Sequence, residues 1–118
     1  MKLLLLTVFA ALALPAYAQG LVDGEVRKVG ARTVFYETWA RKNRPEMHAT
    51  LRDAYAGIAK ELKAAVAPAG EAWAKVLKAN PRFALHVPDL SHPSPAGSYL
   101  NACVFYQTLF DRSPEGLP

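Results

Sequence analysis

Residues Thr33 to Trp39 read TVFYETW, and the interpretation of these seven positions decides the fold. β-Branched and aromatic residues dominate, yet apolar and polar side chains do not alternate strictly. A strand with one face in water alternates; a strand without alternation is covered on both faces, as in a parallel sheet flanked by helices. Downstream, RKNRP (41–45) is a polar loop whose Pro45 suits the first turn of a helix. From Glu46 to Leu62, Met47, Leu51, Ala54, Tyr55, Ile58 and Leu62 recur at steps of three and four, opposite Arg52, Asp53, Lys60 and Glu61. That spacing predicts an amphipathic helix.

AAVAPAG (64–70) is a short apolar run broken by Pro68 and Gly70 and is expected to be a second strand. EAWAKVLKAN (71–80) predicts a short helix that turns Trp73, Val76 and Leu77 inward and stops at Asn80-Pro81. PRFALHVPDLSHP (81–93) is a loop; Ser94 then fits an N-cap, with Pro95 opening a last helix that reaches about Phe110. Upstream, LVDGEVRKVGAR (21–32) is interrupted by Gly24 and Gly30 and is expected to be weakly helical at best. Strand, helix, strand, helix, loop, helix predicts an α/β fold: a short parallel sheet, right-handed crossover and flanking helices. Two strands make a poor sheet for a segment as apolar as TVFY, which implies a partial domain.

The first twenty residues, MKLLLLTVFAALALPAYAQG, have the three regions of a secretory signal peptide: Lys2, an apolar run from Leu3 to Leu14, and Ala16-Tyr17-Ala18. The run is shorter than the about 20 residues a spanning helix needs. Cleavage after Ala18 is expected, dividing the chain into a signal peptide, 1–18, and a domain, 19–118, secreted or periplasmic in a bacterium and free of the membrane. Without Lys2, thirteen basic and ten acidic side chains remain, and the basic ones are scattered without interleaved aromatics. Nucleic acid is therefore not an expected partner. The single cysteine, Cys103, excludes an internal disulfide and is expected to be a small core residue.

PDLSHP (88–93) carries the clearest chemistry. A histidine acts as general base when its ring is oriented and its charged form stabilised; a carboxylate on Nδ1 does both and leaves Nε2 free. A turn between Asp89 and His92 would bring the two together, and Pro88, Pro93 and Pro95 each restrict the backbone. Spacing alone is a weak signal, since such pairs also serve as plain turn residues.

The longer block PDLSHPSPAGSYLNACVFYQTLF (88–110) resembles the last conserved block of the SGNH hydrolases, the GDSL-type esterases and lipases, where Asp-x-x-His is followed by HPS or HPN. VFYETWAR and VAPAGEAW are similar to the strand and strand-helix segments preceding that block in some bacterial members. The resemblance spans about Val29 to Pro114 and corresponds to the C-terminal half of a domain. It implies a partial three-layer, flavodoxin-like α/β/α fold and ester hydrolysis without a cofactor, on a small-molecule or carbohydrate ester. Asp89 would orient His92, and His92 would be general base and acid. The family's Gly-Asp-Ser nucleophile motif and Gly-x-Asn-Asp oxyanion segment are missing: no serine precedes Ser91, and Asn43, Asn80 and Asn101 stand in unrelated contexts. Ser91 and Ser94 adjoin the histidine too closely to replace the nucleophile, and Ser94 is better explained as a cap. A truncated hydrolase, inactive as an isolated chain, is the expectation. The alternative is a non-catalytic envelope protein that reuses the half-fold for binding or self-association, with the Thr33–Trp39 edge inviting strand pairing.

Other constellations carry less. His86, Asp89 and His92 step by three, but Pro88 and Pro93 oppose the helix on which they would converge, so no metal site is expected there. His86 is expected at the surface in a structural role, and His48 facing solvent. Glu37 ends the first strand, where open α/β sheets place ligand-contacting residues, yet is expected to be solvated there or paired with Arg41; Glu71 is given no special role; Trp39 and Trp73 are candidates to line a groove but are expected in the core.

Overall fold

A computed structural model describes residues 16–117. Its elements are α1 (Ala16–Lys28), β1 (Val34–Glu37), α2 (Met47–Leu62), β2 (Ala65–Pro68), α3 (Ala69–Ala79) and α4 (Pro95–Phe110). β1 and β2 form a two-stranded parallel sheet in which Val34 faces Ala65 and Glu37 faces Pro68. From β1 onward the order of elements agrees with the sequence pattern, as does the parallel pairing, and the fold is mixed α/β. All four residues of β1 are buried, which is what its unbroken apolar character requires.

The core has two parts. Phe35, Tyr55 and Ala59 are buried together, with Leu51, Ile58, Leu62 and Val66 packed against them. This is the inward stripe of α2 lying on the sheet. The second part centres on Trp73 and Leu85, each 1% exposed. Here α4 comes close: a Cβ on Gly97 would run into the Leu85 carbonyl oxygen and the Trp73 ring, so a side chain would force the helix away. Trp73 Nε1 donates to Asn101 Oδ1 at 2.7 Å, which satisfies the indole within its apolar surroundings. Ser94 caps α4, accepting the Gly97 N–H at 3.1 Å while its hydroxyl donates to the Ala84 carbonyl at 2.6 Å.

Several expectations need correction. Residues 21–28, expected to be weakly helical at best, belong to α1. Tertiary bonds override the glycines there. Asp23 accepts from Thr33 Oγ1 and Arg27 Nε at 2.6 Å each, and Arg27 donates to the Leu62 carbonyl at the end of α2. Burial pushes the Asp23 carboxyl up, but the hydrogen bonds from Arg27 and Thr33 outweigh it and hold the group below its ordinary range. Glu37 is not solvated at the strand end; it is 3% exposed. His48 does not face solvent freely, because its Nε2 lies 3.2 Å from Glu71 Oε1 and its side chain is largely covered. His86 has a structural role but is buried: Nε2 lies 3.0 Å from the Ala40 carbonyl oxygen and the ring meets Trp73 edge-on.

The expectation that Cys103 is a small core residue is likewise corrected, since it is only half-buried. The signal-peptide expectation falls largely on residues 1–15, outside the described residues; α1 passes through Ala18, the expected cleavage point. No helix among the described residues is long and apolar enough to cross a membrane.

Candidate functional site

The loop after α3 folds back on itself. Val87 N donates to the His92 carbonyl and Leu90 N to the Val87 carbonyl, both at 3.0 Å, and His86 and Pro93 form an antiparallel bridge. Leu90 closes the turn at φ 66°, a left-handed conformation that costs a branched residue energy and persists only where its surroundings enforce it. Those surroundings are the segment just past β1: Lys42 N donates to the Leu90 carbonyl and Trp39 Nε1 to the Ser91 carbonyl, each at 2.9 Å. The loop therefore sits over the carboxyl end of β1, the end at which open α/β sheets place ligands.

Within this turn Asp89 and His92 meet. His92 Nδ1 lies 2.5 Å from Asp89 Oδ2. Asp89 Oδ1 accepts the backbone N–H groups of Ser91 and His92 at 2.9 Å each, so both carboxylate oxygens are engaged. The His92 side-chain bond, followed by the His92 and Ser91 backbone N–H groups, lowers the Asp89 carboxyl from 3.8 to about 2. An ionised carboxylate at Nδ1 favours the Nδ1–H tautomer and leaves Nε2 as a free base. The pair is open to water, with the histidine side chain 78% exposed.

His92 lines a shallow groove of about 580 Å³ with Trp39, Ser91, Ser98, Asn101 and Phe105. Among the described residues no hydroxyl hydrogen-bonds Nε2. Ser94 is committed to its cap, and burial pushes the Tyr36 phenol in the groove wall up to about 12, so it stays protonated. The third member of the His86/Asp89/His92 series points elsewhere: His86 meets Ala40 and Trp73. The arrangement can shuttle a proton. It shows no nucleophile delivering one.

Beside this loop lies a second groove of about 440 Å³, lined by Trp39, Trp73, His48, Gly70 and His86 among others. Trp39 stacks on Trp73 with ring centres 4.2 Å apart and planes 8° from parallel, so both tryptophans line it although Trp73 is nearly all core. His48, in its lining, groups with Glu37 and Glu71, and the ligand-capable atoms of the three lie within 4.8 Å of one another. Burial first, and then the Glu71 charge, push the Glu37 carboxyl above its ordinary value; His48, the Glu71 backbone N–H and Arg52 relieve only part of this. The spacing of these residues along the chain hid this grouping. One signal could have found it: parallel pairing of TVFYE with AVAP sets Glu37 against Pro68, one helical turn before Glu71.

No family model matches the chain, and neither do the curated proteins or the solved structures searched. The likeness to SGNH hydrolases accordingly rests on the His92 block and the two segments quoted with it.

Proposed function

We propose that this chain is an exported SGNH-type ester hydrolase-like protein in which Asp89 orients His92 as general base and general acid. The observation that carries this reading is the 2.5 Å contact of His92 Nδ1 with Asp89 Oδ2 inside the PDLSHPSPAG block. In the reaction this geometry suits, Nε2 takes the proton of an attacking hydroxyl, Asp89 stabilises the imidazolium, and Nε2 returns the proton to the leaving alcohol. The substrate class is a small-molecule or carbohydrate ester, and the domain is of the three-layer flavodoxin-like kind. Because the chain carries neither Gly-Asp-Ser nor Gly-x-Asn-Asp, it supplies the proton-transfer half of the machinery and not the nucleophile or oxyanion half.

Two measurements test this. Nitrogen-15 NMR at neutral pH should find His92 as the Nδ1–H tautomer, and Asp89→Asn should abolish that preference; a ring indifferent to Asp89 would end the general-base reading. The isolated chain should turn over p-nitrophenyl acetate no faster than free imidazole and take up no fluorophosphonate label. Rapid turnover abolished by His92→Ala would mean that an alcohol nucleophile is present after all.

A second reading has one observation in its favour: among the described residues each strand of the sheet has a single hydrogen-bonded neighbour. On that reading the protein is a non-catalytic envelope component whose sheet is extended by a second copy. Sedimentation as a monomer with a cooperative thermal transition would count against it.

A further inference from the structure

We propose that Glu37, His48 and Glu71 form a binding site for a divalent transition-metal ion of the zinc class. The site is separate from the Asp89–His92 pair and does not depend on the hydrolase reading. Its three side chains come from three elements: the last residue of β1, the first turn of α2 and the first turn of α3. Their ligand-capable atoms lie within 4.8 Å of one another, and His48 Nε2 is already 3.2 Å from Glu71 Oε1. Bonds of about 2.0 Å in a tetrahedral site set neighbouring ligands about 3.3 Å apart, so closing on an ion takes a movement of about 1 Å or somewhat more.

An acidic pair beside a histidine would not by itself indicate a metal. What does is the state of the buried atoms. Glu37 is 3% exposed, and its Oε1 has no hydrogen-bond partner. Buried polar atoms are ordinarily satisfied, and a buried carboxylate oxygen left without a partner is costly. Arg52 does not supply one: its Nε is bonded to Asp53 Oδ1 at 2.9 Å and stands 4.0 Å from Glu71 Oε1.

The carboxylate is also held in place. Gly70 lets the start of α3 close on the end of β1; a Cβ there would press on the Thr38 carbonyl oxygen and come within 2.6 Å of Glu37 Oε1. Two carboxylates and one imidazole neutralise a doubly charged ion and match the nitrogen and oxygen donors that zinc accepts. His48 and Gly70 line the 440 Å³ groove, from which water can complete the coordination.

The test uses the full chain stripped with EDTA. Equilibrium dialysis against Zn²⁺ should give one ion per chain and a higher melting temperature. Co²⁺ in its place should develop the visible absorption of a low-symmetry inner-sphere complex. Glu37→Gln should abolish stoichiometric binding; Glu71→Gln, at a more exposed position that tolerates change, should weaken it by about tenfold or more. His92→Ala and Asp89→Asn should leave it unaltered. Absence of stoichiometric binding to the folded chain would overturn the site. So would binding that survives both glutamate substitutions, or that vanishes with Asp89→Asn.

Discussion

Two histidines in this molecule stand beside carboxylates, and they do so in opposite ways. Asp89 and His92 are three residues apart, exposed, and complete: every carboxylate oxygen has a donor within one turn of chain. Glu37, His48 and Glu71 are gathered from three elements, largely covered, and incomplete. The His92 ring and the backbone N–H groups of His92 and Ser91 stabilise the charge of the first carboxylate, so its pKa falls; burial and a second acid oppose the charge of Glu37, so its pKa rises. Equal chemistry thus carries opposite electrostatic consequences, decided by burial and by the sign of the neighbours.

The largest test of this contrast is steric. Gly70→Ala places a methyl group against the Thr38 carbonyl and the Glu37 carboxylate. Overpacking of this kind should destabilise the chain by about 1–3 kcal/mol in chemical denaturation. An unaltered midpoint would mean that the junction of β1 and α3 is looser than its geometry implies.

Next in size is the charge itself. In metal-free buffer Glu37→Gln should stabilise the fold by on the order of 1 kcal/mol at neutral pH, because it removes a buried negative charge lacking a full set of partners. The sign of the pH dependence follows. Glu37 binds its proton more tightly folded than unfolded, so its charge weakens the fold above its raised pKa, and stability recovers as pH falls toward the unfolded value. Glu37→Gln should flatten that limb of the profile; a loss of stability instead would show the ionised form to be well paired.

The smallest effects belong to the exposed pair. Asp89 has the opposite slope: its contribution is present above its ordinary 3.8 and is lost as pH falls through about 2. Asp89→Asn should remove this acid limb alone, and His92→Ala should change stability by no more than about 0.5 kcal/mol, as at other open surface positions. A larger loss at His92 would make it a structural residue and blur the distinction between the two regions.

Legibility followed the same division. The Asp89–His92 turn was readable because its bonds are local: proline-restricted backbone, a three-residue step and an Asx-type turn leave few ways to arrange the pair. TVFYETW and the α2 periodicity were readable because burial imposes a period on each element. The helical state of residues 21–28 was not, since Gly24 argued against it and the compensating bonds run to Thr33 and to the Leu62 carbonyl.

By itself, then, the sequence determined the order of elements from β1 onward, the parallel strand pair, the capped last helix and the histidine turn, all consequences of neighbours along the chain. Tertiary structure alone decided that Glu37 is buried, that Gly70 must lack a side chain, and that His48 joins two acids instead of facing water. The reason is physical: periodicity and turn chemistry are encoded over a few residues, whereas the dielectric and partners around a side chain are set by whichever distant segments pack over it.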